Sequence, residues 1–183
     1  MERRGTPRPD LQTLNPYAID SILRIVHTLI LAKAGGFLLH ASSAVRNGRA
    51  FLFTGPSGAG KSTIVGLAPE EVTVLTDEIS YVRRSADGYV AFGTPFAGEL
   101  GDLGEPVHAP IAALFQLGRG AENRHEPLAA AETVRALLRN ILFFADDRRL
   151  VGDLLDTACE FASRVPAFEL LFSPTAQVWG TIQ

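Results

Sequence analysis

The sequence predicts an α/β domain, a central mixed β-sheet flanked by helices, on three observations. Short runs rich in Val, Ile, Leu and Phe alternate with amphipathic stretches of helical period. A strand-like run at 50–53 passes through a glycine-rich loop straight into a helix-like run at 62–67. The chain has 183 residues, 46% of them hydrophobic, enough for one core that needs no disulfide or metal.

The elements follow in order. Pro7, Pro9 and Pro16 lie among polar residues and predict a flexible lead-in over residues 1–16. Ile22, Ile25, Val26, Leu29 and Ile30 recur at helical spacing, and Gly35-Gly36 stops the helix that begins near Ile19. Phe37 to Val45 and Ala50 to Phe53 read as strands, with Asn47-Gly48 between them as a hairpin turn, because both residues tolerate positive φ. Val72 to Leu75 and Ile79 to Arg83 read as strands, and Asp87-Gly88 turns the chain into Tyr89 to Phe92. A glycine- and proline-rich loop from Gly93 to Pro110 leads to a strand over Ile111 to Leu117. Helices are expected over Ala129 to Leu142 and Asp147 to Val165, then a last strand over Phe168 to Phe172. In the second helix Leu150, Leu154, Leu155, Ala158, Phe161, Ala162 and Val165 share one face.

Charge and cysteine content narrow the function classes. Seventeen basic and twenty acidic side chains leave a net charge of −3, which argues against a nucleic-acid partner. The single cysteine, Cys159, permits no intrachain disulfide and suits a reducing compartment. Its place on a helix predicts a small buried apolar residue rather than a nucleophile. The most apolar stretch, Ile19 to Leu39, is broken by Asp20, Arg24, His27 and Lys33, whereas a membrane span needs about 20 nearly uncharged residues. Arg3, Arg4 and Arg8 precede no apolar segment, so the N-terminus is not a secretory signal. The expectation is a cytoplasmic protein with no membrane partner.

Residues 55–62, Gly-Pro-Ser-Gly-Ala-Gly-Lys-Ser, match the phosphate-binding pattern G-x-x-x-x-G-K-S at every defined position. Gly55, Gly58 and Gly60 can adopt conformations closed to other residues, so that backbone N–H groups converge on phosphate oxygens. Ser57, Ala59 and Thr63 complete the predicted cradle. Lys61, one of only two lysines in the chain, would reach the β- and γ-phosphates, and the Ser62 hydroxyl would face Mg²⁺. The pattern, set between a strand and a helix, makes residues 17–183 a P-loop domain for a nucleoside triphosphate. A phosphate-bound Mg²⁺ needs further oxygen ligands, and Asp77-Glu78, directly after a buried-type strand, supplies two carboxylates. One can hold metal while the other takes a proton from an attacking hydroxyl.

Leu38-Leu39-His40-Ala41-Ser42-Ser43-Ala44-Val45, Asn47-Gly48, the phosphate loop and Leu75-Thr76-Asp77-Glu78 together resemble the HPr kinase/phosphorylase C-terminal domain and its relatives, the ATP-dependent phosphoenolpyruvate carboxykinases. The resemblance covers residues 36–80. It implies an HPr kinase/carboxykinase-like fold, ATP and Mg²⁺ as cofactors, and transfer of a phosphoryl group to a serine hydroxyl on a peptide or protein. His40 stands where those kinases carry a histidine and the carboxykinases a metal-binding one. Asp77 and Glu78 stand at the family's acidic pair, in a register that leaves base and metal ligand open; we take Asp77 as the base and Glu78 as the acid near the metal. Family members form oligomers, so a homo-oligomer is compatible with the resemblance. The Glu-Ile-Arg-Gly-Leu-Gly stretch of the HPr kinases is absent, which leaves the HPr protein as target, and phosphorylase activity, without support. Arginines matched to a carboxykinase substrate site are absent too.

The other polar residues read as ordinary surface. Glu99 is expected as an exposed loop acid, Arg119 and Arg124 as solvated loop arginines, and His108 and His125 as surface or capping residues. Arg135, Arg139, Arg148 and Arg149 fall on solvent faces, and Phe143-Phe144 is expected in the core. The rival to a kinase is a nucleotide-dependent switch or NTPase whose acceptor is water, although neither an Asn-Lys-x-Asp nor an ABC-type signature is present.

Overall fold

A computed structural model describes residues 16–96, 98–101 and 104–182. The expected lead-in therefore lies outside the described residues except for Pro16, which opens α1 (Pro16–Lys33). The remaining elements are β1 (Gly36–Arg46), β2 (Arg49–Thr54), α2 (Lys61–Gly66), β3 (Thr73–Thr76), β4 (Ile79–Ser85), β5 (Gly88–Phe92), β6 (His108–Arg119), β7 (Arg124–Pro127), α3 (Ala130–Asn140), β8 (Ile141–Leu142), α4 (Arg148–Arg164) and β9 (Ala167–Phe172). A 3₁₀ turn, Ala176–Gly180, follows.

The strands form a mixed sheet whose two longest members, β1 and β6, change partners along their length. Gly36 to His40 of β1 pair antiparallel with β4, whereas Ala41 to Arg46 pair antiparallel with β2. The start of β6 pairs antiparallel with β5, and the rest lies parallel between β2 and β9. Two half-sheets thus share β1 and β6, which change partners between them. The β1–β2 connection is the expected hairpin, with Asn47 at φ 52° and Gly48 at φ 73°, the two positive values a twisted two-residue turn requires.

Both faces of β2 are buried, so it reads as a continuous apolar run rather than an alternation. Ala50 and Leu52 pack with Phe37, Leu39, Leu154 and Phe161 in a core under α3 and α4. Phe51 and Phe53 pack with Ile64, Phe115, Leu170 and Trp179 in a second core under α2 and the C-terminal turn. Asp147 begins α4 by accepting hydrogen bonds from the N–H groups of Arg149 and Leu150, a cap that commonly contributes about 1 kcal/mol.

Several expectations fail locally. The helix expected through Leu142 ends at Asn140, because Leu142 and Ile141 pair with Leu38 and Leu39 as β8. Residues 124–127, expected as loop, form edge strand β7 on β9. On α4, Cys159 and Leu155 are exposed, since only the stripe through Leu154, Thr157, Ala158 and Phe161 meets the sheet. Phe144 is exposed where a core ring was expected, while Phe143 packs partly against the first core. The apolar repeat of α1 is largely uncovered: Ile22, Ile25, Val26 and Ile30 are exposed, and Leu31 and Ala32 at its C-terminal end are buried. Among the described residues no helix is long and apolar enough to cross a membrane.

Candidate functional site

The parallel pairing of β2 with β6 puts their C-terminal ends on one edge, with Thr54 beside Gln116. The glycine-rich loop leaves that edge from β2 and enters α2. Gly58 and Gly60 hold φ values of 74° and 103°, and Gly60 also has no room for a side chain, since a Cβ there would stand 2.7 Å from Cζ of Phe172. The Ser42 hydroxyl donates to the Lys61 carbonyl at 2.7 Å and pins the start of α2 to β1. No side chain caps α2, so its first-turn N–H groups are left for another acceptor.

This edge borders a cavity of about 570 Å³ into which Ser57, Gly58, Gly60, Lys61, Ser62 and Thr63 project from the loop and helix. Gly55 and Ala59 do not line it. The Gly55 carbonyl accepts a hydrogen bond from Lys61 Nζ at 3.1 Å, and Ala59 is buried in the core beneath. Lys61 is buried, and Nζ also donates to the Pro56 carbonyl at 3.2 Å. Burial pushes its ammonium below the ordinary lysine range, and Glu99 draws it partly back.

His40 reaches the cavity because it ends the part of β1 that pairs with β4, opposite Ile79. One residue on, β1 pairs with β2. Burial lowers the His40 imidazole below its ordinary value; the Lys61 charge lowers it further and Glu78 opposes the shift. Asp77 and Glu78 occupy the two-residue turn between β3 and β4 and line the same cavity. Asp77 is buried, and its two carboxylate oxygens accept hydrogen bonds from the N–H groups of Gly98 and Leu100, each at 2.8 Å. Glu78 is half-buried, with both oxygens facing the Arg24 guanidinium at 3.2 and 3.4 Å. The fold thus brings His40, the loop and the acidic pair together, and it shows each acid already engaged.

Glu99 and Arg119, expected as surface, and Arg24, to which the sequence assigned no role, belong to this cavity or its frame. Glu99 is exposed but lines it. Arg119, at the end of β6, lines it too and donates to the Gly58 carbonyl at 3.1 Å. Arg24 holds Glu78 from α1 and stacks on the Phe96 ring at 4.9 Å. The position of Arg119 at the end of a strand offered a signal; the pairing of Arg24 with a residue 54 positions away offered none. Arg124, His108 and His125 stay outside, the two imidazoles resting on Phe92 and on Phe115 and Phe168.

A family model described as SynChlorMet cassette protein ScmC matches residues 10–183. The chain belongs to the ScmC family. No curated protein matches this ScmC-family chain. Among solved structures, the HPr(Ser) kinase/phosphatase from Coxiella burnetii is 14% identical to it. That match covers 67% of this chain and 87% of that one, with a TM-score of 0.36, a fit too loose to say anything about activity.

The oxygen donors suit Mg²⁺. No group of three or more His, Cys, Asp or Glu side chains is set to hold a metal among the described residues. The Ser62 hydroxyl and the carboxylates of Asp77 and Glu78 meet in one cavity. Mg²⁺ bound to a nucleotide takes most of its ligands from phosphate and water and asks for only one or two such oxygens.

Proposed function

We propose that this protein is an ATP- and Mg²⁺-dependent phosphotransferase acting on a hydroxyl of a peptide or protein. The observation that carries the reading is the buried Lys61 ammonium at the mouth of a positive-φ glycine loop, with carboxylates lining the same cavity. In the structure Lys61 satisfies itself on two loop carbonyls. Triphosphate oxygens would replace those acceptors, and loop N–H groups would meet the charge that builds as the bond to the β-phosphate loosens.

Ser62 and Asp77 are the residues to hold Mg²⁺, which when bound neutralises charge on the β- and γ-phosphates. This reverses the division expected from the sequence. The reason is that Asp77 is buried and held in place by the N–H groups of Gly98 and Leu100, each oxygen keeping a lone pair for a metal, whereas Glu78 is half-buried and more open to an acceptor. In the transfer step the acceptor oxygen attacks the γ-phosphorus, the bond to the β,γ-bridging oxygen breaks, and ADP leaves with that electron pair. The hydroxyl proton passes to Glu78. His40, whose imidazole is pushed below its ordinary range by burial and by the Lys61 charge, lines the same cavity and would meet the γ-phosphate as a hydrogen-bonding partner.

The test is labelled ATP with Mg²⁺ and acceptor peptides, on the wild type and on Lys61→Ala. The wild type should bind ATP and transfer label, and the variant should lose at least about 10²-fold in rate. Unchanged turnover in Lys61→Ala would overturn the assignment. Free phosphate without any labelled acceptor would make the protein an NTPase or switch instead.

A further inference from the structure

Outside the nucleotide cavity, a second cavity of about 280 Å³ opens between α1 and the β4–β5 half of the sheet. Its walls are mostly apolar and aromatic, with Arg83 and Thr94 among them: Tyr81, Phe92, Pro95 and Phe96 come from the sheet side, and Leu23 with His27 from α1. An apolar cavity of about 150 Å³ already accommodates benzene, so this one has room for a large side chain. His27 Nδ1 is buried without a hydrogen-bond partner, alone in this respect among the described side chains. Apolar surface continues from the cavity along α1, where Ile19, Ile22, Leu23 and Val26 are exposed at helical spacing.

Two features say what fits there. The first is charge. Arg83 lines the cavity with its guanidinium over the Phe92 ring at 5.2 Å. No carboxylate lines the cavity, and none pairs with Arg83 among the described residues. The second is position. The Phe96 ring that walls the cavity carries the Arg24 guanidinium at 4.9 Å, and that guanidinium lies 3.2 Å from Glu78 at the rim of the nucleotide cavity. Two or three residues of extended chain, at about 3.3 Å each, match the scale of those two contacts taken end to end.

We propose that this cavity binds the acceptor: a peptide segment with an aromatic or large aliphatic side chain beside a carboxylate, two or three residues from the hydroxyl that takes the phosphoryl group. The inference rests on the phosphotransferase reading above. The apolar side chain fills the space between Leu23 and Phe92, the carboxylate meets Arg83, and the hydroxyl residue reaches Glu78. Water as acceptor makes no use of the cavity.

The experiment uses the full chain, labelled ATP with Mg²⁺, and two synthetic peptides. Each carries one serine, flanked at two and three residues on both sides by Phe and Asp in the first peptide and by Gly and Lys in the second. The first should be labelled with a KM about tenfold lower, the effect of one well-placed interface residue. Phe92→Ala and Arg83→Glu should each raise that KM by a similar factor and leave the KM for ATP unchanged. Arg83 is exposed, so its variant keeps the test alive should Phe92→Ala fold poorly. Equal labelling of both peptides, a KM unmoved by either variant, or ATP binding with no label on either peptide would overturn the proposal. A shift in sedimentation in place of a shift in KM would overturn it in favour of self-association. Absence of ATP binding would refute the nucleotide reading beneath it.

Discussion

Replacing Gly60 with alanine separates a loop shaped by its backbone from one that merely contains glycines. Gly60 holds φ 103° and ψ 24° as the residue before α2. An L-residue in such a conformation costs about 1–3 kcal/mol. The new Cβ would also stand 2.7 Å from Cζ and 3.2 Å from Cε1 of Phe172. Phe172 is itself buried against the second core, so its ring must push into packed neighbours, a further cost of about 1–3 kcal/mol. For a domain of this size each kcal/mol lowers Tm by about 2–4 °C, so Gly60→Ala should melt about 5–20 °C below the wild type. Thermal denaturation reads this directly, with and without Mg·ATP, and the stabilisation by nucleotide should vanish along with the loop geometry. The double variant Gly60→Ala/Phe172→Leu relieves the collision but not the backbone strain, so it should show a favourable coupling of about 1 kcal/mol or more. A Gly60→Ala protein that melts with the wild type and keeps its response to ATP would refute the reasoning.

Three further outcomes follow from the same geometry. Asp77→Asn turns an amide NH2 donor toward an N–H group of the 98–100 segment and leaves that N–H unpaired, at about 1–3 kcal/mol; hydrogen exchange at Gly98 and Leu100 should accelerate about tenfold or more, and unchanged protection would contradict the anchoring role. Because His40 is held below its ordinary value near 6.5, the unfolded chain takes up that proton first. Stability is therefore lost as pH falls from about 6.5 through the lowered folded value, and His40→Gln should flatten this part of the curve of Tm against pH. Arg119→Ala should leave Tm within about 2 °C, as an exposed substitution, yet weaken ATP about tenfold, the effect of one charge-assisted hydrogen bond; thermal denaturation checks the first and isothermal titration the second.

Much of the fold was readable because local chemistry decides it. Asn47-Gly48 sets its own turn, Asp147 caps its own helix, and the glycines at 55, 58 and 60 carry their conformational freedom wherever the chain goes. Failures came where distant pairing overrode local preference. Ile141-Leu142 continues a helical pattern but gains more by joining Leu38-Leu39, and the apolar repeat of α1 faces outward, Leu31 and Ala32 at its C-terminal end being its buried apolar residues.

By itself, the sequence determined an α/β chain with a glycine-rich lysine loop between a strand and a helix, and an acidic pair after a later strand. Whether those parts share a cavity depended on strand pairings no local pattern encodes, among them the change of partner in β1 at His40. Only the tertiary structure decided that Asp77 ties down the 98–100 segment, that Arg24 and Arg119 frame the site, and that an aromatic cavity lies one ring away. The physical reason is range. Turn and helix signals act over a few residues, whereas strand register and charge pairing are settled between segments tens of residues apart, by whichever packing buries the most.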